Sequence, residues 1–254
     1  MKKYTNEITE FVKRNILSII LVFLIATFIT HIPLLVNILF TKLEYSPTLN
    51  FFGTTAIFVN FMETFPKDQL TLVYTFKIFE ILMSAFVCSG FIYMLDSRKN
   101  SSNPVSNFFS FGIKKYFKVF GVIVFQLILG FLIAAIPLML IPMFSTLSWV
   151  GAVVTLGSVF IFAFVKFMVY EAAITDTPVL QIMTKSIKKS IKVYSKLLLW
   201  MLFIPFMIIL VSFPLAELPF ILWLSSLTLI ILYLEMTVFY PLFKHATDKL
   251  NGES

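Results

Sequence analysis

Six times along this 254-residue chain, apolar residues run on for about the 20 positions a helix needs to cross a hydrocarbon core, and basic residues collect between the runs. The runs cover about 15–40, 70–95, 119–143, 149–170, 197–213 and 219–243. Lipid offers no partner to a backbone N–H or C=O, so each run predicts a helix that satisfies its own hydrogen bonds. The expected fold is all-α: a polytopic membrane helical bundle of six transmembrane helices, paired as three hairpins, in one integral membrane domain over 1–254. Composition agrees, because 59% hydrophobic residues, 13% charged residues and a mean hydropathy of +0.95 leave too little polar surface for a soluble domain of this length. The first run is too long for the apolar core of a signal peptide, and no small-x-small site follows it.

Orientation follows from the lysines and arginines. One side holds Lys2, Lys3, Lys13 and Arg14, then Arg98, Lys99, Lys114, Lys115 and Lys118, then Lys185, Lys188, Lys189, Lys192 and Lys196, and finally Lys244 and Lys249. The other side holds Lys42 and Lys67, while Lys77 and Lys166 fall within runs. This asymmetry predicts a multi-pass protein of the cell membrane with both termini cytoplasmic. The net charge of +7 belongs to that topology, and no nucleic-acid-binding signature accompanies it, so no nucleic acid partner is expected. The preference for lysine over arginine fits an AT-rich bacterial genome.

The cytoplasmic connections carry a pattern of their own. Ile113-Lys114-Lys115-Tyr116-Phe117-Lys118-Val119-Phe120 returns 74 residues later as Ile187-Lys188-Lys189-Ser190-Ile191-Lys192-Val193-Tyr194. Asn103-Pro104 and Thr177-Pro178 share that offset, and each reads as a cap followed by proline at the first helical position, so both helices are expected to start and end in register. Val179, Ile182, Met183, Ile187, Ile191 and Tyr194 recur at helical spacing, apart from the stripe Lys185, Lys188, Lys189, Lys192 and Lys196. Such helices, about 103–118 and 177–196, are expected to lie in the interface. Their apolar face enters the acyl boundary while Lys114, Lys115, Lys118, Lys185, Lys188, Lys189 and Lys192 meet anionic headgroups of membrane lipids or a docking partner. A weaker copy over 1–14 opens the chain, with Tyr4, Ile8, Phe11 and Val12 ahead of Lys13 and Arg14. Each odd-numbered span then follows a basic elbow.

Charges at membrane depth are costly and usually face the bundle interior, so those within the runs are the site candidates. Glu80 lies near the midplane of the second run, and Lys77, three residues earlier, shares its face. Gln126 sits in the third run and Glu235 in the sixth. One reading makes the carboxylates carriers of protons or cations. The other makes Lys77 and Glu80 a packing pair, with Glu235 protonated or bonded to a neighbouring helix. Lys166 is expected to snorkel to the cytoplasmic face. On the outer side, the loop Thr41 to Gln69 carries apolar stretches able to fold back on the membrane, and Pro205 interrupts the fifth run.

Enzymatic chemistry finds no support. The sequence holds no phosphate loop, HExxH, CxxC or nucleophile triad, and Cys88 is the single cysteine, so no cofactor or metal is expected.

Gly90-Phe91-Ile92-Tyr93-Met94-Leu95-Asp96, followed by Asn107-Phe108-Phe109-Ser110-Phe111-Gly112, resembles the glycine, loop and F-x-x-F elbow of a group of uncharacterised bacterial six-helix integral membrane proteins. That group is similar to the membrane domain of some glycerophosphodiester phosphodiesterases. Tyr170-Glu171-Ala172-Ala173-Ile174 and Thr184-Lys185-Ser186-Ile187-Lys188 resemble its second elbow. The resemblance implies six helices with interfacial elbows. It brings no catalytic residue, because the phosphodiesterase domain has no counterpart in this sequence.

Three functions are compatible with these features. The first is a non-enzymatic membrane protein acting in envelope homeostasis, as a membrane partner or as an immunity factor for an exported peptide, alone or as a homo-oligomer. The second is the permease subunit of a type-2 ABC exporter, whose separate ATPase subunit docks on the elbow at 103–118. The third is a proton-coupled transporter using Glu80.

Overall fold

The computed structural model describes residues 1–41, 70–99, 103–140, 163–203 and 220–252. All regular structure among them is helical, with no strand, so the all-α expectation holds. The helices are α1 (Lys2–Arg14), α2 (Ile16–Thr41), α3 (Leu70–Asp96), α4 (Pro104–Lys114), α5 (Tyr116–Leu140), α6 (Met168–Ile174), α7 (Val179–Lys192), α8 (Tyr194–Phe203), α9 (Phe220–Leu234) and α10 (Tyr240–Asn251). A 3₁₀ turn, Ser97–Lys99, follows α3, and a π turn, Glu235–Phe239, joins α9 to α10. The outer loop, most of the fourth run and the later part of the fifth with Pro205 lie outside the described residues.

Three times a helix ends, one residue breaks the spiral, and a second helix begins. The breaking residues are Asn15 (φ −126°, ψ 28°), Lys115 (φ −102°, ψ 3°) and Val193 (φ −129°, ψ 18°), all near the bridge region of backbone space. Each breaking residue's carbonyl accepts the first hydrogen bond of the next helix, from Ile19, Val119 and Leu197 at 2.9–3.0 Å. The elbow thus costs little hydrogen bonding while turning the chain sharply. At Asn15 the turn is 95°.

The two lysine-rich elbows differ in register from the sequence expectation. Helix α4 has 11 residues and α7 has 14, so their starts lie 75 residues apart and their breaks 78. Caps account for the one-residue shift of the starts. Asn103 accepts a hydrogen bond from the Val105 N–H and starts α4 at Pro104, whereas Thr177 directs its hydroxyl to Thr175 and leaves Pro178 as the last residue before α7.

Helix α3 is the hub, packed on α2, α4, α5 and α6. Its contact with α4 is close because Gly90 lies against the Phe108 carbonyl, and Ser89 donates to the Phe111 carbonyl at 2.9 Å. Helix α10 packs on α1 and α7 and closes the group. The core joins Phe91, Met94 and Leu95 of α3, Phe108 of α4, Tyr170 of α6, and Leu242 and Phe243 of α10.

The π turn has a local cause in Pro241. Proline lacks an N–H and crowds the carbonyl four residues back, so the wider turn just before it relieves that clash.

Among the described residues, Thr228–Asn251 is long and apolar enough to cross a membrane, and Lys2–Arg14 with Ile16–Ile32 passes the same test as a bent pair. Many large apolar side chains stand on the outside of the described residues. Leu17, Phe28, Phe117, Ile128, Leu180 and Leu199 are exposed, while Glu171, Lys189 and the Arg98 side chain are buried.

Candidate functional site

Among the described residues, buried and half-buried charged side chains gather in three groups. The first lies at the π turn, where Glu235 projects from the start of the widened turn toward the segment leading into α6. Lys166 pairs with Glu235 Oε1 and Tyr170 donates its hydroxyl to Oε2. Lys166 and Tyr170 are four residues apart, on one helical face, so one carboxylate meets both. The Lys166 ammonium also lies 4.3 Å from the centre of the Phe239 ring. Glu235 is therefore bonded to a neighbouring helix. Lys166 ends in this pair, with its side chain 27% exposed. Gln126 donates to the Val165 carbonyl at 2.8 Å, beside the same group. His31 and Thr228 share a hydrogen bond of 2.9 Å between α2 and α9. The side chains of Lys77 and Glu80 lie outside the described residues.

The second group ties the amino-terminal elbow to the end of the chain. Arg98, in the 3₁₀ turn, pairs with Glu7 of α1 and donates to the Tyr240 hydroxyl at 2.8 Å and to the Leu95 carbonyl at 3.0 Å. Tyr240 passes its own proton to Asp96 Oδ1 at 2.8 Å, and Lys244 pairs with that same oxygen. Tyr4 donates to Asp248, and burial with this carboxylate raises its phenol above the ordinary value. The Arg98 guanidinium stacks 5.3 Å from the Tyr240 ring centre. A planar fork bonded on several sides is a task for arginine. Replacing it by lysine keeps the charge and loses the fork. Arg98→Lys is expected to weaken the seat of α1 by about 1.5 kcal/mol and to speed trypsin cleavage after Lys13 and Arg14 about tenfold, read by limited proteolysis of the detergent-solubilised chain. Unchanged cleavage would remove Arg98 as the latch.

The third group lies where the two lysine-rich elbows meet. Lys189 donates to Glu171 Oε2 at 2.8 Å with its ammonium 4.4 Å from the Phe243 ring centre. Both side chains are almost fully buried, and burial holds the Lys189 ammonium below its ordinary pKa despite the carboxylate. Lys115 is also buried and pairs with Asp176, and Lys118 donates to the Thr175 carbonyl.

These positions correct the expectation that all seven lysines face headgroups or a partner. Lys115 and Lys189 turn inward. The buried face of α7 is Ile182, Ser186, Lys189 and Ser190, at helical spacing, so Lys189 falls on the packed side while Lys188 and Lys192 stay exposed. Small Ser186 and Ser190, each bonded to the Phe164 carbonyl, hold that face close to the bundle. Lys114 is exposed, and Lys118 and Lys185 are half-buried.

Comparison with family models, with curated proteins and with solved structures found no match. Two residues of the stretches quoted above have structural roles: Gly90 makes the close contact with α4, and Glu171 holds Lys189.

The sequence reading did not single out Glu7, Asp96, Arg98, Tyr170, Asp176, Tyr240 or Asp248 as site residues. Tyr170 and Tyr240 carried a usable signal, since each stands four residues from a lysine on one face, Lys166 and Lys244. Among the described residues no three His, Cys, Asp or Glu side chains converge as metal ligands would.

Proposed function

We propose that the chain is a non-enzymatic multi-pass membrane protein of a bacterial cell membrane, with six spans in three hairpins, each entering the bilayer from a basic interfacial elbow, and both termini cytoplasmic. Within that frame it acts as an autonomous membrane factor, through its cytoplasmic face, in envelope homeostasis or as the membrane partner of an exported peptide. The observation that carries the reading is the set of large apolar side chains left exposed. Apolar side chains as exposed as Phe117 (83%) and Leu180 (82%) belong in lipid, while ionic pairs hold the interior and cytoplasmic ends together. Three breaks of similar backbone geometry support the three-hairpin plan.

The exporter-permease reading draws less support. A coupling helix needs side chains free to meet an ATPase, and Lys115 and Lys118 of the first elbow are bonded within the chain. Affinity purification of the tagged protein from its native membrane in several mild detergents, followed by mass spectrometry, tests the choice. The expected result is no stoichiometric ATPase. An ATPase recovered in equal amount, and lost in Lys114→Glu, would overturn the proposal in favour of the permease.

A further inference from the structure

Between α6 and α7 the chain makes the short turn Thr175-Asp176-Thr177, and basic residues from both elbows converge on it. Lys115, from the break between α4 and α5, pairs with Asp176, and Lys118, one turn later, donates to the Thr175 carbonyl. Lys114 adds its charge to the field at Asp176, and Lys185 of α7 adds its own at Lys118. Glu171 also acts on Lys118, but its carboxylate is bonded to Lys189. Two ammoniums, Lys115 and Lys118, bond to the turn, and the charges of Lys114 and Lys185 act on its groups, with Asp176 the one carboxylate of the turn.

The balance is uneven in a particular way. Asp176 compensates Lys115, whereas the half-buried Lys118 ammonium rests on a neutral carbonyl beside its like-charged neighbours. Burial, then the Lys115 charge, holds Lys118 below its ordinary pKa. An ammonium taken partly out of water is stabilised best by an anion, and a phosphate oxygen accepts from several lysines at once. The Asp176 side chain, 96% exposed, leaves the turn open on its outer side. Helix α7 begins just beyond without a side-chain cap, so the positive end of its dipole adds to the same field.

We propose that this cluster binds a phosphate group, that of an anionic phospholipid in the cytoplasmic leaflet. Apolar side chains border it on both elbows. Ile113 and Phe117 stand beside the lysines of the first, Val179 and Leu180 at the start of the second, all strongly exposed. A headgroup seated among the lysines would place its acyl chains along these residues, which a soluble phosphate has no use for. The two elbows then share one lipid, and the lipid joins two hairpins. This inference rests on the membrane reading above.

Native mass spectrometry of the full chain in detergent, with phosphatidylglycerol or phosphatidylcholine added, tests it. A parallel titration uses inorganic phosphate, with thermal unfolding as the readout. The wild-type chain is expected to retain one phosphatidylglycerol in preference to phosphatidylcholine. The pair Lys118→Gln and Lys185→Gln is expected to lower that preference about tenfold or more, while Lys188→Gln with Lys192→Gln, an equal loss of charge at exposed positions, leaves it in place. Lys185→Gln alone gives the same direction should the pair fail to fold. Stabilisation by phosphate without lipid preference, again lost only in the first pair, assigns the same site to a soluble phosphate. Equal retention of both lipids without a phosphate effect, or equal loss in both pairs, overturns the site. A chain that stays in solution without detergent overturns the membrane reading instead, and the phosphate titration still decides the site.

Discussion

Glu171→Ala is expected to destabilise the protein by about 3–5 kcal/mol, because it leaves the Lys189 ammonium buried without its carboxylate. The pair joins the end of α6 to α7, with side chains only 2% and 7% exposed, so water cannot reach in to replace the lost oxygen without opening the elbow. Lys189 also rests over the Phe243 ring, which ties the pair to α10. Its burial already disfavours the charge, and Glu171 is the group that opposes this. Thermal unfolding in detergent reads the effect as a large drop in midpoint. The joint replacement Glu171→Leu with Lys189→Met removes both charges, and it is expected to restore most of the stability, since an apolar pair of similar volume needs no compensation. If Glu171→Ala unfolds like the wild type, or if the joint replacement is as damaging as the single one, the pair does not hold this elbow.

Much of the architecture was written in periodicity. The end of α1 and the start of α2 fall within a residue or two of where the first apolar run and its basic flank place them. Hydropathy reads the contrast between apolar and polar surroundings, and this boundary is where the sequence changes from one to the other. The inner face of the elbows was not legible. At α7 the apolar stripe of the sequence, Val179 and Ile191 included, is partly turned outward, and the packed face carries Ser186, Lys189 and Ser190. In water an apolar residue marks the interior. In lipid it serves equally well outside, so the interior is chosen by close fit and by which charges find partners.

The charge pairs illustrate the same limit. Lys166 and Glu235 lie 69 positions apart, and Tyr4 and Asp248 lie 244 apart. Nothing local links either pair. What the sequence did carry was the shortage of alternatives: a carboxylate within a long apolar run has to find a partner, and Glu235 was singled out on that ground. The 74-residue repeat misled on register for a related reason. Similar lysine spacing suggested equal helices, yet the caps at Asn103 and Thr177 shift the starts by one residue, and the breaks at Lys115 and Val193 fall at unlike places in the repeat.

Gly90→Ala is expected to separate α3 from α4 and to cost about 3 kcal/mol or more, the upper end of what overpacking a tight contact does. A Cβ at Gly90 would stand 2.3 Å from the Phe108 carbonyl oxygen and 3.1 Å from its carbon. These are backbone atoms of a helix, so relief requires α4 itself to move. The neighbouring bond from Ser89 to the Phe111 carbonyl and the stack of Tyr93 on Phe111 would be lost with it. Two other glycines serve as controls. At Gly112 the new methyl would meet the Phe86 ring at 2.7 Å, and a side chain with rotatable bonds can give way, so Gly112→Ala is expected to be milder. At Gly121 nothing lies within 4 Å, so Gly121→Ala is expected to be neutral or to gain up to about 1 kcal/mol from helix propensity. Thermal midpoints of the three variants in one detergent should therefore fall in the order Gly121→Ala, Gly112→Ala, Gly90→Ala. The order itself is the test, because glycines replaced for lost flexibility alone would all shift alike, whereas a backbone contact between α3 and α4 singles out Gly90.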